Sequence, residues 1–260
     1  MEPINVLDHG FVRLVSYMQP ASDDNYGDWT GDLEVVRNAR VSYGAAARAG
    51  EDEGSDTRLI DYLLRNRHTS PFESMVFTFE VKAPIFVLRQ WHRHRTWSYN
   101  EVSARYKELP EEFYVPELAH ITTQSANNKQ MRTDEVHPQA AWMCDQIATA
   151  CEDAFRVYKE MIAKGCPREL ARSVLPVATY SHMFATVDLH NLLHFCALRM
   201  HSHAQYEIRV YAEAMLDLVQ PIVPAAVKAF KVHTLKEPLA VVESVGRTVT
   251  AIAKSIRKHF

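Results

Sequence analysis

Hydrophobic and polar positions alternate most cleanly over residues 74–82. There Met75, Phe77, Phe79 and Val81 take turns with Val76, Thr78, Glu80 and Lys82, the period-two pattern of a strand. Residues 177–187 (VATYSHMFATV) predict a second strand, and residues 5–18 a strand bent around Gly10. Apolar residues recur at helical spacing elsewhere. Cys144, Ile147, Cys151, Ala154, Tyr158 and Met161 form one stripe of a helix running from Pro138 to Gly165. Leu59, Ile60, Leu63 and Leu64 line a helix from Thr57 to about Arg67, with Asp56 as its cap. Ala83-Pro84 opens a helix reading IFVLRQWHRHR, because proline is tolerated in a first turn.

The remaining elements follow from punctuation. Residues 32–42 predict a short helix, and Pro167 opens another that ends before Pro176. Asp188 caps a helix from Leu189 to about Met200, and a further helix runs from near Ala204 to Pro221 and Pro224. Residues 19–31, with Pro20, Gly27 and Gly31, predict a loop; residues 43–56 predict a mobile surface connection. Residues 239–258 predict a final amphipathic helix with a basic end. No linker or repeat divides the chain, so the pattern predicts one mixed α/β domain.

Composition narrows the chemistry. A net charge of -3 over 260 residues argues against a dedicated nucleic-acid binder. No glycine lies between Gly54 and Gly165, and neither G-x-G-x-x-G nor a Walker A loop occurs anywhere. A bound nucleotide must therefore be held without a glycine-rich phosphate loop. Cys144, Cys151, Cys166 and Cys196 form no C-x-x-C pair, and two of them sit on an apolar stripe, as ordinary core thiols do. With no signal peptide and no apolar run long enough for a membrane span, the expectation is a reduced, cytoplasmic protein without a membrane partner.

The polar segment Arg89 to Tyr106, RQWHRHRTWSYNEVSARY, carries the candidate chemistry. Basic runs are commonly solvated faces. This one leaves the apolar core directly, interleaves Trp91, Trp97 and Tyr99, and leads into Asn100, Glu101, Ser103 and Arg105. Arginines grip phosphates with a planar fork, and aromatic rings offer faces to a base, so the segment suits a phosphorylated heterocycle.

Arg93-His94-Arg95, seven residues and then Ser103 resembles the R-H-R-x7-S signature of the flavin-dependent thymidylate synthases. Gln90-Trp91 before it and Asn100-Glu101-x-Ser103-x-Arg105-Tyr106 after it extend the likeness. So do Ala39–Tyr43, His68-Thr69-Ser70-Pro71-Phe72-Glu73, Ala171-Arg172-x-x-Leu175-Pro176 and Leu198-Arg199-x-x-x-His203-Ala204-Gln205-x-Glu207-Ile208. The likeness spans roughly residues 5–222 in the family's order, and these independent motifs together are specific where a lone R-H-R is not.

The resemblance implies an antiparallel-type central sheet packed with helices, in a domain over residues 1–230 followed by a helical extension over 231–260. It implies a homotetramer with sites shared between subunits. It implies conversion of dUMP to dTMP, with 5,10-methylenetetrahydrofolate giving the carbon and NADPH reducing FAD, and no cysteine nucleophile. By the same likeness Gln90, Trp91, His92, Arg93, Glu101, Val102, Ser103, Ala104, Arg105, Arg172 and Arg199 meet dUMP. Arg199 is the catalytic candidate, a fixed guanidinium where negative charge builds on the pyrimidine. Ser70, Arg93, His94, Arg95, Glu101, Asp188, His190 and His194 are matched to FAD, and His68 to the folate and flavin side. At Asp188 and His190 some relatives carry Asn and Arg, and a histidine does not replace arginine's permanent charge.

Three rivals remain at this stage. His190 and His194, four apart, would share a stripe with His201 if the helix continued, which is metal-ligand spacing without the H-E-x-x-H base; the main reading assigns no metal. The basic-aromatic run would suit a single-strand nucleic-acid surface, against which Glu101 and the overall charge count. A cysteine-dependent thymidylate synthase would require one of the four thiols to act as nucleophile.

Overall fold

The structure is a computed structural model and describes residues 1–19 and 30–237. The helix expected over 239–258 and most of the loop expected over 19–31 lie outside the described residues. Seven strands are present among the described residues: β1 Ile4–Val6, β2 Gly10–Tyr17, β3 Val76–Pro84, β4 Ser98–Glu101, β5 Thr122–Gln124, β6 Arg132–Val136 and β7 Tyr180–Asp188. Helices are α1 Gly31–Val41, α2 Glu53–Arg65, α3 Ile85–Trp91, α4 Ala140–Ala163, α5 Arg168–Ala171, α6 Leu189–Arg199, α7 Tyr206–Val219 and α8 Pro224–His233.

Five strands form an antiparallel sheet in the order β1-β2-β3-β7-β4, and β5 and β6 make a separate hairpin. The expected mixed α/β architecture with an antiparallel sheet is thus present. The alternation in β3 and β7 sets the sheet's two faces. Phe77, Phe79 and Val81 oppose Val187, Ala185 and Met183, and all six are buried. The other face is polar: Thr78 and Thr186 share a 3.0 Å hydrogen bond, while the Glu80 carboxylate accepts from Arg13 and meets the His182 ring. Helices α6, α7 and α3 carry Leu192, Phe195, Ile208, Tyr211, Met215, Val87, Leu88 and Trp91 into the core shared with the apolar face. A smaller cluster joins Phe155 and Tyr158 of α4 to Ala171.

Four expectations need correction. The single bent strand over 5–18 is two strands, β1 and β2, joined by a turn in which Leu7 has φ of 60°. Gly10 is required just after it, because a Cβ there would collide with the Tyr211 hydroxyl and the Val6 carbonyl. The cap of α2 is Asp52, which accepts from the Ser55 amide at 3.0 Å, so the 43–56 connection already contains a helical turn. Asp56 lies buried within that turn, accepting from the Gly50 amide and paired with Arg40 at 2.6 Å.

The third correction is the helix expected to run through His92–Arg95, which stops at Trp91. The Tyr99 hydroxyl donates toward the carbonyls of Trp91 and His94, at 3.2 and 2.9 Å, and the Gln90 carbonyl accepts from Arg199. Carbonyls that a longer helix would have used are taken by side chains, and the chain turns back into β4. Finally, the helix expected from near Ala204 is α7, which ends at Val219, and Pro224 opens α8 as a separate helix. Asp32 of α1 caps α8 by accepting from the Ala225 and Ala226 amides, at 2.7 and 3.0 Å. Phe230 of α8 is buried in the core.

Candidate active site

Helix α3, the start of β7, the end of β4 with the segment after it, and α5 with the turn that follows enclose a cavity of about 580 Å³. Ile85, Leu88 and Leu175 give it an apolar wall; Arg89, His92 and Arg172 give it cationic or donor groups. Glu101, Val102, Ser103 and Ala104 form one side. The Val102 amide is held by the His182 carbonyl at 2.8 Å, which fixes this segment against β7. Among the described residues, the amides of Ser103 and Ala104 make no hydrogen bond, while the Arg105 amide reaches Ser103 Oγ at 3.3 Å. Two free amides beside an arginine form a concave donor set for an anion. His92 Nε2 is buried without a partner in the same wall.

A second group of residues adjoins it. Arg199, at the end of α6, donates from Nε to His94 Nε2 at 3.0 Å and from Nη2 to the Gln90 carbonyl at 3.0 Å. His94 is buried, packed edge-on to Phe195 with centroids 4.9 Å apart. Burial, then Arg199 and His194, push its pKa down from 6.5 to about 4, so it is a neutral acceptor. Burial likewise lowers the pKa of Arg199, although a guanidinium keeps its charge in proteins. The guanidinium is thus fixed on two sides, leaving its remaining N–H groups for a ligand.

The expected site residues divide into three sets. His92, Glu101, Val102, Ser103, Ala104 and Arg172 line the cavity, and Gln90, next in the chain to the lining residue Arg89, holds Arg199 through its carbonyl. Arg105 lies at its rim, paired with Glu169 at 3.0 Å, and Arg172 Nε donates to the Glu169 carbonyl. Arg93 and Arg95 are exposed, without ion-pair partners among the described residues. Trp91 stands apart. Its indole is fully buried against Phe195, Trp97 and Tyr211, so its side chain belongs to the core and not to the cavity lining. The third set lies at the opposite end of β3. There the Leu189 amide meets the Met75 carbonyl, Asp188 caps α6 through the Asn191 amide at 2.9 Å, and exposed His68 and Ser70 precede β3. His194, midway along α6, lies 6.4 Å from His94 between ring centroids, so α6 links that end to Arg199.

Ser181 and Glu169 escaped the sequence reading, and Gln205 entered it only as part of a motif, without a role at the site. Ser181 donates to Glu101 at 2.5 Å and lines the cavity; its signal is a polar residue in the inward phase of β7. Gln205 accepts from the Gln90 amide at 2.6 Å across 115 residues of sequence, a contact no local pattern reveals.

The rivals fare poorly here. α6 ends at Arg199, so His201 is off the stripe of His190 and His194, and among the described residues no group of three or more His, Cys, Asp or Glu is arranged to hold a metal. Cys151 and Cys196 are buried, burial pushes both thiols up, and none of the four cysteines lines the cavity. No helix among the described residues is long and apolar enough to cross a membrane.

The family model described as thymidylate synthase complementing protein matches residues 27–225. A flavin-dependent thymidylate synthase of Treponema denticola is 47% identical over 232 residues, covering 88% of this chain and 81% of the relative. The chain belongs to the flavin-dependent thymidylate synthase family. A second member, from Thermus thermophilus, is 46% identical over 233 residues, covering 90% of this chain and 80% of its own. Among solved structures, a UMP/dUMP methylase, PolB of Streptomyces cacaoi, bound with 5-Br dUMP, has a TM-score of 0.77 at 36% identity, with 89% and 98% coverage. Membership makes this chain an enzyme of that class, as its motifs imply.

Proposed function

We propose that this enzyme converts dUMP to dTMP, taking a one-carbon unit from 5,10-methylenetetrahydrofolate and reducing equivalents from NADPH through FAD. The observation that carries this reading is Arg199, held by His94 and by the carbonyl of Gln90, whose chain neighbour Arg89 lines a cavity with free amides and arginines.

The nucleotide's phosphate suits the Ser103 and Ala104 amides with Arg172 and Arg105, since paired guanidinium donors and free N–H groups match its oxygens. Its base suits the wall of Leu88, Leu175 and His92, where the orphaned His92 nitrogen has a polar atom to find. Arg199 would meet the pyrimidine's N3 and carbonyl edge, stabilising the negative charge that grows there as the ring acts on the incoming carbon. A prepositioned cation needs no reorganisation when that charge appears. The buried thiols support a route without a cysteine nucleophile.

The donor set also fits a flavin dinucleotide. Arg93 and Arg95 are exposed and unpaired, suited to a pyrophosphate, while His94, His194, His190, Asp188, Glu101 and Ser70 supply polar edges. When bound and reduced, FAD supplies the electrons that turn the transferred carbon into a methyl group. Ser70 and His68 precede β3, at the end of the strand away from the nucleotide cavity, an arrangement that supports a homotetramer in which neighbouring subunits complete each site. The reading includes no nucleic-acid or membrane partner and a cytoplasmic setting.

The test is product formation from dUMP with each component withheld in turn. dTMP that requires FAD, the folate and NADPH, and that survives Cys144→Ser and Cys166→Ser, is the expected result. Turnover without flavin, or abolished by either substitution, would refute it.

A further inference from the structure

A second cavity, of about 480 Å³, lies between the β5–β6 hairpin and the start of α7. It borders the site already described, since Gln205 lines it and holds Gln90 at 2.6 Å. Its chemistry is that of an anion receptor. Arg132 and Arg209 line it, with His120 and His203 adding ring nitrogens. Arg132 is already engaged, donating to Glu207 at 3.0 Å and to the His120 carbonyl at 2.8 Å. Arg209 is freer: its nearest carboxylate, Glu213, is 4.0 Å away, and its guanidinium carbon stands 5.8 Å from the Tyr206 ring centroid. Asp134 is the opposing charge in the lining.

Two independent features add donors. The Tyr206 and Glu207 amides open the 14-residue helix α7, which has no side-chain cap, and Gln205 and Tyr206 at this positive end line the cavity. Thr122 lines the same cavity, and its Oγ1 is buried without any partner. His120 stacks on Tyr206 with centroids 3.7 Å apart, which makes that wall rigid.

We infer that this cavity binds the anionic tail of a co-substrate whose reacting end lies at Gln90 and Arg199. The inference rests on the reading under Proposed function and extends it. Two co-substrates there carry suitable groups, the carboxylates of a γ-glutamyl folate tail and the phosphate that distinguishes NADPH from NADH. Both present oxygen anions to guanidinium and amide donors.

The test compares the flavin-loaded wild type with the Arg209→Gln/His203→Gln double variant. Arms are KM for mono- and triglutamyl methylenetetrahydrofolate, KM for NADPH and NADH, and calorimetric binding of tri-γ-glutamate and of inorganic pyrophosphate. The wild type should favour one charged form by about tenfold, and the variant should lose that preference while keeping its kcat. The arm that moves identifies the source. Preferences unchanged in a variant that still makes dTMP overturn the inference alone. If neither protein makes dTMP, the functional reading falls, and calorimetry decides the site: variant-sensitive probe binding upholds it and no binding overturns it.

Discussion

Arg199 Nε lies 3.0 Å from His94 Nε2, so the charged guanidinium donates to a histidine that must be neutral to accept. The pairing joins the R-H-R segment to the end of α6 across 105 residues of sequence. It turns a surface-looking basic motif into one half of a buried device.

That pairing sets a pH dependence. His94 has a folded pKa of about 4 against an ordinary 6.5, so the unfolded chain takes up its proton first as pH falls. Its contribution to stability is complete above 6.5 and is lost progressively down to about 4. Urea unfolding at several pH values should show the stability of the wild type falling relative to that of His94→Gln as pH drops across this window. Parallel slopes for the two proteins would contradict the neutral pairing.

Arg199→Ala should remove turnover while leaving the fold and much of the flavin in place. Loss of charge stabilisation of this kind costs about 10²–10³ in kcat, measurable by dTMP formation. Near-normal kcat would exclude the assigned role.

Tyr99→Phe deletes the hydroxyl that closes the R-H-R turn onto the Trp91 and His94 carbonyls. Removing it should cost about 1–2 kcal/mol, because the carbonyls are left without that donor. Denaturant unfolding measures the cost, and a weaker affinity for dUMP should accompany it.

At the other end of the core, Asp32→Ala should lower stability by about 1–2 kcal/mol through loss of the α8 cap. Asp32→Asn should cost less, since an amide oxygen still accepts. Burial raises the Asp32 pKa from 3.8 to about 7, so this carboxyl's own contribution should fall as pH rises across that interval, a component that Asp32→Asn lacks. Unfolding curves for all three proteins check both claims.

The residues that sequence reading placed correctly are those whose neighbours are local. Alternation exposes β3 because one face is apolar and the other carries Thr78, Glu80 and Lys82. The Asp188 cap is equally visible, as a short acceptor before an apolar run. What stayed hidden depends on distant partners. The helix end at Trp91 depends on Tyr99 and Arg199 taking its carbonyls, and the choice of Asp52 over Asp56 depends on Arg40 burying the latter. Likewise Trp91 reads as a stacking residue beside the motif, yet Phe195 and Tyr211 draw it into the core.

The most direct test is a single turnover under anaerobic conditions. FAD on the enzyme is reduced with NADPH, dUMP and methylenetetrahydrofolate are added, and flavin absorbance and dTMP are followed together. The account predicts that the flavin reoxidises without oxygen and that dTMP appears in equal amount. A flavin that stays reduced, or one that reoxidises with no dTMP formed, would contradict it.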